Sequence, residues 1–139
     1  GASGGEFLET MGLPVDAAGR VHVCDNGNGR LQMFTSDGQP LGAFPVPGWK
    51  SEVFSEPDVA VDVQGRIWVT VPAAKEIRAY DERGTLLATL TAQTHPDVYC
   101  ATPMGIEVDA ARGELVVTDL DGRFVRMPLP AAGGSDGRP

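Results

Sequence analysis

Three stretches of this chain run through alternating apolar residues and close on an aspartate: Gly12-Leu-Pro-Val-Asp16, Asp58-Val-Ala-Val-Asp62 and Gly105-Ile-Glu-Val-Asp109. They recur at a period of about 46 residues, a spacing at which each copy is one supersecondary unit. Such a unit cannot bury its apolar face alone and has to stack on a neighbour. Second strands follow at Val21-His-Val-Cys24, Ile67-Trp-Val-Thr70 and Leu115-Val-Val-Thr118. Third strands follow at Leu31-Gln-Met33, Ile77-Arg-Ala79 and Val125-Arg-Met127, aligned without a gap between second and third strands. Period-two alternation interrupted by turn sequences predicts an all-β chain of short antiparallel meanders.

The turns supply the chemistry that tight reversals need. A glycine (Gly19, Gly65, Gly113) stands between first and second strands, where a hairpin requires a positive φ. Asp37-Gly38 and Arg83-Gly84 introduce fourth strands at residues 41–44 and 86–90. The third copy runs instead into Pro128 and Pro130, and proline cannot donate to a central ladder, so this copy is expected to lack its fourth strand. The predicted organisation is a flexible linker at 1–5, which is also what a cloning scar looks like, repeats at 6–53, 54–98 and 99–130, and a flexible tail at 131–139. Read without gaps, one face of each repeat is apolar throughout. Leu31 and Met33 join Val21 and Val23, Ile77 and Ala79 join Ile67 and Val69, and Val125 and Met127 join Leu115 and Val117. Stacked units face one way, so three of them are expected to leave an apolar face bare at one end and a mixed face at the other.

Eighteen glycines and eleven prolines among 139 residues suit many short strands rather than helices. The formal charge of −8 argues against a nucleic-acid partner, because a phosphate-binding surface needs net attraction. No run of eighteen apolar residues is present to insert in a bilayer, and no basic start precedes an apolar stretch. Cys24 and Cys100 form no close pair and are expected to be free thiols, one in a strand and one in a connection.

The repeated elements resemble the NHL repeat. In the first copy the matching residues are Gly12 to Asp16, Gly19-Arg20-Val21, Val23-Cys24-Asp25, Asn28-Gly29-Arg30-Leu31 and Phe34 to Gly38. The second matches at Val59 to Asp62, Gly65 to Val69 and Ile77 to Gly84, with Val71 and Glu76 replacing the motif's Asp and Arg, and the third at Gly105 to Asp109 and Val117-Thr118-Asp119. This resemblance implies blades of a β-propeller, commonly six around a central channel, with the last blade here incomplete. Three blades cannot close a ring, so a second copy of the chain or the blades of a larger protein are expected to complete it. The run Val46-Pro-Gly-Trp49 followed by residues 56–62 is similar to the NHL region ending some bacterial membrane glycosyltransferases, which implies an extracytoplasmic setting.

No Ser/His/Asp constellation, phosphate-cradling glycine loop or ligand-spaced metal set stands in the sequence, so catalytic residues, metal and cofactor are all expected to be absent. Asp25, Asn28 and Asp121 sit in turns between second and third strands, where such residues cap their own backbone or meet a partner. The long connections carry Trp49, His95 and Tyr99, candidates for surface display, since an aromatic in a loop can stack on a sugar or anchor a protein. Trp68 is expected between repeats. The expected function is a non-enzymatic interaction module for protein or glycan. The alternatives are a fragment of a metal-dependent propeller hydrolase or lyase, and a glycan-binding domain appended to a glycosyltransferase.

Overall fold

A computed structural model describes residues 13–49, 57–96 and 102–131. Ten strands run in chain order: β1 (Val21–Asp25), β2 (Arg30–Phe34), β3 (Pro40–Pro45), β4 (Val59–Val61), β5 (Ile67–Val71), β6 (Glu76–Tyr80), β7 (Leu86–Leu90), β8 (Pro103–Asp109), β9 (Glu114–Asp119) and β10 (Phe124–Pro128). They form three antiparallel sheets in the orders β1-β2-β3, β4-β5-β6-β7 and β10-β9-β8, each pairing sequential neighbours. The fold is all-β, as the alternation predicts. No helix among the described residues is long and apolar enough to cross a membrane.

The first strand of the first sheet shrinks to an isolated bridge, Val15 to Val21. Pro14 stands at its centre and has no N–H to give, although its carbonyl still accepts from the His22 amide at 2.9 Å. Among the described residues the strand count is therefore three, four and three.

Register corrects the expected faces. Cys24 pairs with Leu31 and His22 with Met33, so these four share one face of the first sheet, and Val23 with Gln32 lies on the other. In the second sheet Thr70 pairs with Ile77 and Trp68 with Ala79. The reason is turn length. Four-residue loops (26–29 and 72–75) join the second and third strands here, whereas a three-residue loop (120–122) follows Asp119, whose amide meets the Arg123 carbonyl at 2.8 Å. One residue fewer moves every later side chain to the opposite face. Val125 pairs with Val117 and Met127 with Leu115, so only the third sheet carries its apolar residues on one face, as expected.

The sheets stack through two apolar clusters. Cys24, Leu31 and Phe44 of the first meet Val59, Ile67, Val69, Val71 and Tyr80 of the second. On the other side of the second sheet, Trp68, Ile77, Ala79 and Leu90 meet Ile106, Leu115, Val117 and Met127 of the third. The middle sheet is thus apolar on both faces. The outer face of the first sheet is not the bare apolar surface expected, because Val23, Gln32, Phe34 and Asp25 on it are all buried within the chain.

Turns also lock neighbouring sheets. Arg20 reaches Glu82 at 3.1 Å. Gly84, at φ +88°, lies so close to Phe44 that an added Cβ would stand 2.6 Å from the Phe44 Cβ. Gly84→Ala is expected to cost about 2–4 kcal/mol, combining a left-handed backbone with an overpacked contact. Gly38→Ala, at φ +91° with nothing within 4 Å, carries only the backbone penalty of about 1 kcal/mol. Equal urea midpoints for the two variants would refute the contact.

Candidate functional site

The first strands converge where the sheets meet. Residues 13–14, 58–61 and 106–108 line a cavity of about 320 Å³ between them. Its lining side chains are apolar apart from Asp58 and Glu107, but the surface they leave open to the cavity is mostly polar. Asp58 is half-buried and fixes the strands around it. Its Oδ1 accepts from the Val59 amide at 2.8 Å and its Oδ2 from the Ile106 amide of the next sheet at 3.1 Å. Glu107 is exposed. Such a cavity suits a small ligand with neutral or cationic polar groups to meet that surface.

Around it, the aspartates that mark the repeat are committed to their own turns. Asp62 Oδ1 accepts from the amides of Gln64 and Arg66 at 2.9 and 3.0 Å. Its Oδ2 accepts from Arg66 Nε at 2.6 Å and Trp68 Nε1 at 3.0 Å. Asp16 repeats the arrangement with the amides of Ala18 and Arg20, the Arg20 guanidinium and His22 Nε2. His22 takes the place of Trp68 there, and its buried Nδ1 has no hydrogen-bond partner among the described residues. Burial pushes the Asp16 carboxyl up, but the bonds from His22, Arg20 and Ala18 outweigh it and hold the group at about 2, below the ordinary 3.8. A depressed folded-state pKa stabilises the fold above the unfolded value and is lost as pH falls from 3.8 through about 2. Asp16→Asn is therefore expected to cost on the order of 1 kcal/mol near neutrality, with the difference from wild type closing below about pH 3.5 in acid-denaturation curves. A difference that stays constant with pH would refute the assignment.

The candidates picked from the sequence fall at one end of the sheets by topology, in the turns after second strands and the connections between repeats. Trp49 is not displayed. It is 5% exposed, packed between the first two sheets, and its indole donates to the Thr70 carbonyl at 2.9 Å. Beside it Arg78 holds the Pro47 carbonyl. Asp25 is fully buried and accepts from Asn28, Arg30 and Gln32 at 3.1, 2.9 and 3.2 Å. Asn28 and His95 are half-buried, and the His95 ring meets Thr94 Oγ1 at 3.0 Å. Asp121 is exposed, and its amide donates to Asp119. Tyr99 and Cys100 lie outside the described residues. Cys24 is a buried free thiol pushed well above its ordinary range by burial, then by the charges of Asp58 and Asp25. Among the described residues no three His, Cys, Asp or Glu side chains are grouped to hold a metal ion. The cavity residues went unnoticed in the sequence, although their common position in each first strand is the signal that would have found them.

Three antiparallel sheets stacked face to face, with their first strands gathered at a common cavity, define the blades of a β-propeller. No protein-family model matches the chain, and no curated protein matches it in sequence. Among solved structures it is similar to a luciferin-regenerating enzyme, with a TM-score of 0.64 and 21% identity over 91% of this chain and 46% of that one. It is also similar to a chain of a nidogen–laminin complex, with a TM-score of 0.62 and 21% identity over 86% and 44%. Virginiamycin B lyase from Staphylococcus aureus follows, with a TM-score of 0.56 and 15% identity over 91% and 43%. In each case the chain spans less than half of the matched structure, and at these identities the likeness concerns the fold.

Proposed function

We propose that this chain is an NHL-type part of a propeller acting as a non-enzymatic interaction module. In this reading it meets a protein or glycan partner at the axial cavity and at the loop end carrying Asn28, His95, Tyr99 and Asp121, and further blades complete the ring. The observation that carries the reading is the commitment of the repeat aspartates Asp16 and Asp62 to holding turns, which leaves Glu107 as the exposed carboxylate of the cavity. A net charge of −8 favours cationic or neutral partners over nucleic acid. The loop that carries the glycosyltransferase resemblance spends its aromatic, Trp49, on packing, so the glycan arm of the reading rests on Tyr99. The second reading, a fragment of a metal-dependent hydrolase or lyase, draws on the nearness of Asp58 and Glu107 in the cavity lining.

Calorimetric titration of Zn²⁺ and Ca²⁺ into the metal-stripped chain separates the two. The expected result is no stoichiometric uptake with a Kd below about 10⁻⁵ M. Stoichiometric submicromolar binding that Glu107→Gln abolishes would overturn the interaction reading in favour of the enzyme.

A further inference from the structure

One contact repeats between blades. The last inward residue of each second strand reaches forward to the backbone that opens the next blade: Cys24 Sγ to the Pro57 carbonyl at 3.8 Å, and Thr70 Oγ1 to the Met104 carbonyl at 2.7 Å. Thr70 Oγ1 also accepts from the Asp58 amide at 2.9 Å, so this one hydroxyl joins its own first strand to its neighbour's. Thr118 holds the same position in the third blade. Its Oγ1 accepts from the Gly105 amide at 2.9 Å, and its proton has no acceptor among the described residues.

The side chain paired with this residue follows the same rule. Leu31, opposite Cys24, and Ile77, opposite Thr70, are each 0% exposed under the following blade. Phe124, opposite Thr118, is 62% exposed. Near it on the same face, Arg126 bridges Asp109 and Glu114 at 3.0 and 2.9 Å, where the middle blade has alanine at the corresponding position, Ala79.

We propose that this outer face of the third blade is a docking face for a further propeller blade whose own facing surface is open, as the middle blade's would be without the first. In that complex Thr118 donates to the carbonyl opening the incoming first strand, and Phe124 is buried by the incoming first and second strands. A second copy of this chain is the wrong occupant. The outward-facing surface it would have to offer is that of its first blade, and Val23, Gln32, Phe34 and Asp25 there are already buried within the chain. The inference rests on the propeller assembly and holds for either function.

The test joins a second copy of residues 57–130 to the end of the full chain. The appended middle blade then lacks its usual neighbour and presents Val59, Ile67 and Val69 to the Phe124 face. Amide exchange in β10 is expected to slow at least tenfold relative to the parent, and Thr118→Val to lower the melting temperature more in the extended protein than in the parent. Thr118→Ser should restore the hydroxyl's effect in both. Unchanged exchange together with equal Thr118→Val shifts would overturn the docking face. Light scattering of the parent is expected to give a monomer mass near 14.6 kDa. A dimer abolished by Phe124→Asp would overturn the choice of occupant, and neither result bears on the metal titration that tests the function.

Discussion

Asp62→Ala is expected to destabilise the protein by about 3–5 kcal/mol, a large share of the 5–15 kcal/mol that holds a typical domain together. The carboxylate is buried and receives four donors, two backbone amides, the Arg66 guanidinium and the Trp68 indole. Alanine removes the acceptor and leaves the indole N–H and the guanidinium of Arg66, a side chain only 12% exposed, without their partner. Both sit against the core between the second and third blades, where water does not readily replace the lost bonds. Trp68→Phe deletes one donor while keeping an aromatic ring, so a double-mutant cycle with Asp62→Ala should return a coupling of about 1–3 kcal/mol. Asp16→Ala, in the same motif, should cost less, because Arg20 is 30% exposed and hydrates more readily. Urea unfolding measures all of these. An Asp62→Ala midpoint within error of wild type would mean that the repeated aspartate is dispensable for the fold.

Trp49→Ala is expected to cost about 3–5 kcal/mol, because it empties the seam between the first two blades and takes the donor away from the Thr70 carbonyl. Trp49→Phe should recover the packing but not the hydrogen bond, and fall between the two. A solvent-facing partner anchor would behave otherwise, with alanine near neutral for stability and the indole open to quenchers. Both tryptophans of the chain are buried, so iodide should quench little of the native fluorescence. Efficient quenching of the native protein that disappears in Trp49→Ala would return Trp49 to the list of ligand contacts.

The 46-residue repeat and the two-residue alternation were legible because each is local: a strand states its period in five residues. The face on which Leu31 and Met33 lie was not, since it depends on whether three or four residues turn the corner. Val125 and Met127 look equally apolar in either register. The clue lies in Gly29 and Lys75, both at left-handed φ as the last residue of four-residue loops, while Gly122 performs that task one step sooner. A lysine at φ 58° does not announce itself as a glycine equivalent. Trp49 was misjudged for a related reason. A loop aromatic carries no local mark of burial, and its acceptor is the carbonyl of a residue 21 positions away. The shortening of the first strand was also missed, although Pro14, which has no N–H to give to a ladder, is the residue that signals it. The cavity was the least legible feature, because its lining is made of ordinary strand residues and only their convergence makes a site.

The forward reach of Cys24 and Thr70 gives the molecule a direction in time as well as in space. Their acceptors lie 33 and 34 residues downstream, so neither bond exists when its own blade first emerges during synthesis. At an elongation rate of about 5–20 residues per second, each blade waits seconds for the bond that ties it to its successor. Maturation then proceeds from the amino end, one blade behind the growing tip, and unravelling under load or heat is expected to begin at the carboxyl side.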